Sequence, residues 1–517
     1  MIKTQQGISR GGRILLLCSV FVVAACGLVY ELVAGAVSSY LMGDAVTQFS
    51  LVIGVFLCAM GAGSFLAKFI TRELLKIFIE IEIWIALLGG CSSIAMFAMS
   101  AFADALFPIF FYSLCALLGI LIGIEIPLLI RILQENQDFS ESVSHVLALD
   151  YAGALAGSFA FPLLALPFLG LSRASVVFGL LNLAVAGGGA RLLSGPGRGV
   201  IIRLILTGVL LFSALFFSTR LVGFMEDMLY QDSIVYTKTT RYQRIVLTRW
   251  RDDIRLYLNG HIQFCSIDEA RYHEALVIPV MEASPNPQNI LILGGGDGMA
   301  AREVLKYDTV KHVVLADIDP AITELARNRP EFVAMNKGAL NSPKVSVVNT
   351  DAMKFLENTR GFFDVIITDL PDPNSESLSK LYSKSFYALC VRCLSQEGLL
   401  VTQATSPFFA PDAFWCIVKT IRESVSGHPI VSEIFTAPYH VNVPSFGEWG
   451  FVLAGKRKII LKTLSPSVPT RFLNSETLYA MFSFSRDMQP SEDIQINRMD
   501  HPVLYNYYKS GWKKFNK

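Results

Sequence analysis

Residues 289–298 read Asn289-Ile-Leu-Ile-Leu-Gly294-Gly-Gly-Asp297-Gly, and Met-Ala-Ala-Arg-Glu-Val-Leu follows. A short apolar run closed by glycines is the pattern of a strand buried in a parallel sheet. Adjacent glycines let the backbone take positive φ and approach a ligand closely. The helix expected after them would aim its N-terminus at that ligand. Asp297 sets this loop apart, because a carboxylate there repels a phosphate and suits a cation. The stretch therefore reads as the holder of a nucleoside that carries positive charge. A glycine turn alone is also an ordinary strand-to-helix connection, so the surrounding residues must decide.

Downstream, strand and helix patterns alternate to about residue 405. Lys311-His-Val-Val-Leu-Ala-Asp317-Ile-Asp319 is a second strand ending in acids. It lies about 20 residues past the glycines, where an acid can accept ribose hydroxyls. Val345-Ser-Val-Val-Asn-Thr-Asp351-Ala352 is a third, its acid suited to an adenine amino group. Phe363-Asp-Val-Ile-Ile-Thr-Asp369-Leu-Pro-Asp372-Pro373 is a fourth, and Leu399-Leu-Val-Thr-Gln a fifth. Ligands of open α/β sheets bind beyond the C-terminal ends of the strands. Each acid alone is readable as a helix cap, but acids at successive strand ends are harder to explain that way. A nicotinamide site is disfavoured, because Asp297 would repel a pyrophosphate.

Upstream, residues 229–236 read as a strand, and Tyr242-Gln-Arg-Ile-Val-Leu and Ile254-Arg-Leu-Tyr-Leu as two more, the last turning at Asn259-Gly260. A small antiparallel layer is expected. Asp268-Glu-Ala-Arg-Tyr-His-Glu-Ala-Leu reads as a helix with one polar face, on which His273 alone would be a solvated residue.

The 517 residues allow about two to four domains. Apolar residues make up 52% and mean hydropathy is +0.47, too apolar for a soluble enzyme of this size. The excess lies in residues 14–219. A net charge of +1 gives no sign of a nucleic-acid partner. Cys390-Val-Arg-Cys393 has metal-ligand spacing but lies in a helix pattern with no second pair, and reads as coincidence.

A membrane span needs about 20 apolar residues. Seven segments qualify, roughly 14–41, 46–69, 82–102, 106–131, 147–170, 174–193 and 201–219. Gly119/Gly123 and Gly153/Gly157 have the spacing of close helix contacts. Glu31, Glu125 and Asp150 fall in or beside these spans, where acids face a bundle interior or a wet cavity. They are readable as helix-to-helix hydrogen bonds or as a cation path. Lys3, Arg10, Arg13, Lys68, Arg72, Lys76, Arg131, Arg191, Arg198 and Arg203 lie on one side of the alternating spans, and only Arg173 and Arg220 on the other. The positive-inside rule then places the N-terminus in the cytoplasm and, with seven spans, the second half outside.

Together the motifs of the second half resemble the spermidine synthases, or polyamine aminopropyltransferases, over roughly residues 229–455. The resemblance rests on Tyr230-Gln231-Asp232, Asp268-Glu269 with Tyr272-His273-Glu274, the 294–298 loop (Gly294, Gly295, Gly296, Asp297, Gly298), Asp317-Ile-Asp319, Asp351-Ala352, Asp369-x-x-Asp372-Pro373 and Gly447-Glu-Trp-Gly-Phe451. The apolar half is similar to that of the membrane-spanning variant. The fold expected is a multi-span α-helical membrane bundle over 1–222, a small β-rich subdomain over 223–288, and a Rossmann-like, class I methyltransferase-type α/β domain over 289–517.

What the resemblance implies is transfer of an aminopropyl group from decarboxylated S-adenosylmethionine, a co-substrate, to putrescine or a related polyamine. The products would be spermidine and methylthioadenosine, with no metal and no further cofactor. It implies that Gln231, Asp317 and Asp351-Ala352 hold the thioadenosine. His273 and Asp297 contact amine groups, Asp369 accepts the proton, Asp372 binds the acceptor's cationic end, and Tyr272 lines the same pocket. Membrane lipid is the other expected partner, and a homo-oligomer is allowed. Localisation is the cell membrane, multi-pass. The donor is a cytoplasmic metabolite, so the catalytic domain is expected in the cytoplasm, against the charge count; the last, shortest segment is the first suspect in that conflict.

The chain departs from the family pattern at Asn374-Ser-Glu-Ser-Leu, where soluble members have a Gly-Pro-rich loop. A tyrosine of soluble members is replaced around Val443-Pro444-Ser445, with Tyr439 nearby. Both changes bear on the acceptor's identity. Two other functions compete: a polyamine transporter or sensor, motivated by Glu31, Glu125 and Asp150, and an S-adenosylmethionine-dependent methyltransferase, which would have to place the donor's carboxylate near Asp297.

Overall fold

The computed structural model describes residues 10–42, 45–134, 139–193, 196–230, 232–425, 433–461, 464–491 and 493–515. The chain forms two compact units, Met1–Asp232 and Ser233–Lys517.

The first unit is helical: α1 (Arg10–Met42), α2 (Ala45–Leu66), α3 (Leu74–Phe102), α4 (Phe107–Gln134), α5 (Phe139–Ala160), α6 (Leu166–Ala190) and α7 (Arg198–Tyr230). Six stretches are long and apolar enough to cross a membrane, by length and composition. The fifth, Ser140–Ala190, has 51 residues and contains both α5 and α6. If straight it would reach about 77 Å, more than twice the hydrocarbon thickness. It is broken at Gly170, whose φ is 72°.

Contacts give the directions of the two arms. A Cβ at Gly153 would meet Phe21 and one at Gly157 would meet Ala25, so α5 runs with α1. The Cys26 thiol donates to the Phe178 carbonyl and Gly188 lies against Leu15, so α6 runs against α1. The seven segments read from sequence thus correspond to seven rods. Paired contacts give alternating directions for the others: Gly35 with Phe49, Gln48 with Tyr112, Met60 with Gly123, Ile79 with Gly189, and Glu80 with Arg203. The described basic residues of the charge count sit at the end where α1 begins, apart from Arg173 and Arg220. The last segment, suspected as too short, belongs to a helix of 33 residues. Gly119, Gly123, Gly153 and Gly157 each lie so close to a neighbouring helix that a Cβ would collide with its backbone or side chains, the close packing their spacing predicts.

The second unit opens with an antiparallel sheet, β1 (Ser233–Thr239), β2 (Arg244–Trp250), β3 (Asp253–Leu258) and β4 (His261–Cys265), in that order. The strand expected from residue 229 starts at Ser233, because α7 continues through Tyr230. Asn259 and Gly260 turn β3 into β4 with φ of 51° and 82°, the geometry of a tight hairpin.

After α8 (Glu269–Ala283) comes a seven-stranded mixed sheet: β5 (Asn289–Gly294), β6 (His312–Asp317), β7 (Val345–Asn349), β8 (Phe363–Asp369), β9 (Leu394–Gln403), β10 (Phe435–Val443) and β11 (Gly447–Gly455). The order is β10-β11-β9-β8-β5-β6-β7. The pairs among β5 to β9 are parallel, and β11 is antiparallel to both β9 and β10. Ile290 and Ile292 of β5 enter one core, Leu291 and Leu293 the other, so the strand is buried on both faces as read. The β10–β11 hairpin was not expected from sequence: Pro438 interrupts the pattern, and it is tolerated because β10 is the edge strand. From β5 the chain winds first to β6 and β7, then returns to β8 and β9 on the other side. The C-terminal ends of β5 and β8 therefore bound the switch-point crevice where ligands of such sheets bind.

Candidate active site

The glycine loop is pressed onto the end of β8. Gly294 pairs with Asp369 across the ladder, and with φ of 82° a Cβ there would lie 2.0 Å from the Asp369 carbonyl oxygen. Gly295, φ 62°, donates its N–H to that same oxygen at 3.0 Å. The Gly294→Ala substitution must distort this contact as well as strain φ. It is expected to lower stability by about 1–3 kcal/mol and to weaken nucleoside binding, both readable in one thermal-melt titration with methylthioadenosine. Beyond the loop begins α9 (Met299–Val304). The Asp297 carboxylate accepts the Met299 N–H at 2.9 Å, so it also serves the turn itself.

Asp369 is the centre of the site. Its Oδ1 accepts the Tyr272 hydroxyl at 2.8 Å. Burial pushes its pKa up to about 6; His273 and the Tyr272 hydrogen bond pull it down, and Asp297 pushes it further up. Tyr272→Phe removes a stabiliser of the carboxylate. The acid limb of the kcat/KM profile is therefore expected to move to higher pH, and an unmoved limb would show that Asp369 does not govern it. Asp372 is pushed up to about 7, chiefly by burial, against the polar groups of Tyr508, Gln403 and Thr405.

Tyr272 and His273 stand on α8, which is almost wholly buried. His273 is 2% exposed, so it is no solvated helix residue. Its Nδ1 faces two acceptors, the Glu269 carbonyl at 2.9 Å and a Glu269 carboxylate oxygen at 3.1 Å, and so carries a proton. Burial would lower its pKa, but the Glu269 hydrogen bond and the charges of Asp297, Glu269 and Asp369 outweigh it and raise it to about 9. Glu269 in turn receives both terminal nitrogens of Arg302, at 3.0 and 2.8 Å. The rest of the same motif ties distant segments together. Asp268 accepts the Ser445 N–H and hydroxyl at 2.7 and 3.0 Å, and Glu274 accepts the N–H groups of Arg471, Phe472 and Leu473.

On the opposite side, Asp317 accepts the Gly296 N–H at 3.1 Å and the Asp319 N–H at 2.8 Å. Burial still raises its pKa to about 6. Asp319 caps α10 (Pro320–Asn328) and accepts the Thr240 hydroxyl at 2.8 Å and the Gln243 amide at 3.1 Å. Asp351 caps α12 (Ala352–Asn358, after α11, Pro330–Asn336) through the Met353 and Lys354 N–H groups, with Ala352 buried beside it. Its other oxygen meets Lys380 at 3.2 Å. Burial opposes ionisation there, but those donors and Lys380 leave its pKa lowered.

The structure brings Tyr272, His273, Asp297 and Asp369 into electrostatic or hydrogen-bonding contact, and sets Asp317 against the glycine loop. Asp351 stands apart, on its cap and on Lys380. Gln231 lies outside the described residues. Gln243, Gln403 and Tyr508 are placed at the site by the fold and were missed. Gln243 lies within the Tyr242-Gln-Arg stretch read only as a strand, Gln403 closes the fifth strand read from sequence but was given no role there, and Tyr508 carries no local motif. Tyr439 is fully buried, stacked on Phe451, and donates to the Ala275 carbonyl at 2.8 Å, which makes it a core residue. Cys390 and Cys393 are buried and unbridged. Among the described residues no group of three or more His, Cys, Asp or Glu is placed to hold a metal ion. The glycine loop, with Asp297 within it and Asp369 pressed against it, can receive an adenosyl group and hold cationic chains beside it.

Comparison with known proteins points the same way. Residues 269–463 match the family model described as spermine/spermidine synthase domain. Polyamine aminopropyltransferase 1 of Ralstonia nicotianae is 44% identical, over 98% of this chain and 97% of that protein. The polyamine aminopropyltransferase of Leptospira interrogans is 44% identical over 96% and 98%. A crystal structure of spermidine synthase in complex with the transition state analogue AdoDATO is 26% identical, covers 49% of this chain and 85% of that one, and has a TM-score of 0.43. With relatives 44% identical over nearly the full length of both chains, the chain is an enzyme of the polyamine aminopropyltransferase family.

Proposed function

We propose that the protein transfers the aminopropyl group of decarboxylated S-adenosylmethionine to putrescine, giving spermidine and methylthioadenosine, with Asp369 as the proton acceptor. The observation that carries this reading is Asp369 itself: half-buried, pressed against the glycine loop, and held by Tyr272. The acceptor nitrogen attacks the methylene carbon beside the sulfonium. A C–N bond forms, the C–S bond breaks with its electron pair going to sulfur, and one proton leaves the nitrogen.

The difficulty is that proton, because an alkyl ammonium has a reference pKa near about 10.4. A carboxylate at about 6 is a better acceptor than an ordinary aspartate, and burial is what raises it. Proton transfer by a positioned base contributes about 10²–10⁴-fold, and orientation of the two substrates supplies much of the rest. Asp297 and His273 attend the donor's amine, Asp372 the far ammonium of the acceptor, Tyr272 the pocket wall, and Asp317 the ribose. Gln243, hydrogen-bonded to Asp319, joins Asp317 on the nucleoside side, and Asp351-Ala352 stays assigned to the adenine. Asp297 also weighs against a methyltransferase, whose donor would bring a carboxylate toward it.

The helical unit anchors the enzyme in the cell membrane, with the catalytic unit on the cytoplasmic side where the donor is made. The basic end of the seven rods argues for the opposite side, so labelling a cysteine added at the C-terminus of sealed spheroplasts is decisive. Protection from an impermeant reagent is expected. For the reaction, purified full-length protein given the decarboxylated donor and putrescine should release methylthioadenosine. Release with another diamine or triamine only would correct the acceptor, and no release with any amine would overturn the reading.

A further inference from the structure

We propose, on the basis of the aminopropyl-transfer reading above, that the C-terminal segment Ile494–Phe515 completes the acceptor pocket. Tyr508 within it is a positioning residue, which holds the Asp372 carboxylate for the far ammonium of the acceptor. The segment lies outside the 269–463 family match.

It is fastened at two places beside the crevice. The first is Asn497, 0% exposed. Its side-chain amide donates to the Ser379 carbonyl at 2.7 Å, and its side-chain oxygen accepts the Leu504 N–H at 3.4 Å. Its backbone N–H donates to the Thr420 hydroxyl at 2.9 Å, and its carbonyl accepts the Lys384 N–H at 2.9 Å. Ser379 ends the short helix Glu376–Ser379, which follows the Asp369–Pro373 turn. The second is the C-terminal helix Val503–Lys513. A Cβ at Gly511 would lie 2.7 Å from Ala410, and the Trp512 ring stacks on Phe409 with centroids 4.7 Å apart. Phe409 and Ala410 belong to the bend by which the chain leaves β9.

Leu504, Tyr508 and Gly511 are spaced i, i+4 and i+7, which is one face of a helix. Leu504 is fully buried and Gly511 is pressed on Ala410, so the face that carries Tyr508 is the docked one. Asn506, Lys509 and Ser510, off that face, are exposed. The same helix approaches Glu376–Ser379 to within 8 Å between Cα atoms. Tyr508 is thereby set between the turn that ends β8 and the bend that ends β9, and its hydroxyl donates to the Asp372 carboxylate.

The bend on which the helix rests is strained. Thr405 is β-branched and fully buried, yet its φ is 57°. Such conformations persist only where the surroundings over-determine them, and they cluster at ligand clamps. The Thr405 carbonyl accepts the Gly450 N–H at 2.7 Å, and its N–H donates to Gln403 Oε1 at 3.0 Å. Gln403 and Thr405 then join Tyr508 in stabilising the ionised form of Asp372, against the burial that pushes it up to about 7. The titratable groups that face Asp372 from other elements, the phenols of Tyr272 and Tyr382, are raised by burial and stay neutral. Only the ionised acid holds an ammonium, so the Tyr508 hydrogen bond favours acceptor binding.

The test is steady-state kinetics of full-length Tyr508→Phe, with putrescine varied at saturating donor, beside calorimetric titration of methylthioadenosine. The KM for putrescine is expected to rise at least about tenfold, the worth of a hydrogen bond to a charged group. The kcat should stay within about threefold of wild type, and methylthioadenosine affinity should not change. An equal KM in the two proteins would overturn the proposal. So would a joint loss of kcat, acceptor binding and nucleoside affinity, the mark of a merely structural helix. Should Tyr508→Phe fail to fold, Trp512→Ala unseats the helix from Phe409 without touching Asp372. The same split of KM against kcat is expected there, and its absence would count against the proposal. Wild type without turnover on any amine would overturn the aminopropyl reading and this inference with it, whereas wild-type turnover with an unshifted KM in the variants overturns this inference alone.

Discussion

Replacing Asp369 with asparagine is expected to lower kcat by about 10²–10⁴-fold while leaving methylthioadenosine affinity nearly unchanged. Asparagine keeps the shape and can still accept the Tyr272 hydroxyl, so the crevice between β5 and β8 should survive. Only the proton acceptor is lost. The pH profile provides a second reading. Wild-type activity requires the ionised carboxylate, so kcat/KM should fall as pH drops through about 6, the value to which burial pushes Asp369. That limb should be absent from the residual activity of the variant. A loss smaller than tenfold would show that another group or solvent takes the proton. Equal loss of nucleoside binding would show that Asp369 is needed for the shape of the loop instead.

Glu269→Gln should be the most destabilising of the substitutions. The Glu269 carboxylate is 2% exposed and faces Arg302, which is almost as deeply buried, as well as protonated His273 and the largely exposed Arg471. Removing its charge leaves buried cations facing one another, and breaking such a pair costs about 3–5 kcal/mol. In a unit of this size that corresponds to a melting-temperature loss on the order of 10 °C.

The wild-type pH dependence follows from the same contacts. Burial disfavours ionisation of Glu269, but its hydrogen bonds with His273 and Arg302 prevail and hold its pKa at about 2. Its stabilisation is therefore complete above the unfolded carboxylate range and lost as pH falls through about 2. His273 is raised to about 9; its contribution is complete below its unfolded value and lost as pH rises through about 9. Stability from this network should be flat between roughly pH 4.5 and 6.5. In the variant the alkaline decline should begin at lower pH, because His273 has lost its strongest support. An unchanged alkaline limb in a melting series would show that His273 is held protonated by Asp297 and Asp369 alone.

Much of the site was legible because its residues sit where strands end. The runs before Gly294, Asp317 and Asp369 are apolar, short and followed by helix patterns, and such runs become parallel strands whose C-terminal edge is the binding edge. Asp351 shows the limit. The same reasoning put it at a strand end, but there its carboxylate is shared between the cap of α12 and Lys380, a residue 29 positions away that no local pattern connects to it. In Asp268-Glu-Ala-Arg-Tyr-His-Glu, the residue pattern assigned no roles and the family resemblance singled out Tyr272 and His273; that the three acids fasten Ser445, Arg302 and the 471–473 segment came only from the structure. That division is made by packing on all sides of α8. Tyr508 likewise reaches Asp372 only because the helix Val503–Lys513 folds back.

By itself the sequence determined the two kinds of unit, the seven apolar segments, the succession of the central strands along the chain and the identity of the acids at their ends. Those features are written in local periodicity and in the backbone freedom of glycine, which need no partner to be read. Only the tertiary structure decided that His273 is buried and protonated, and that Lys380 comes to lie against Asp351. Each depends on which side chain lies opposite, and desolvation and charge pairing, the forces that set those states, act through space and not along the chain.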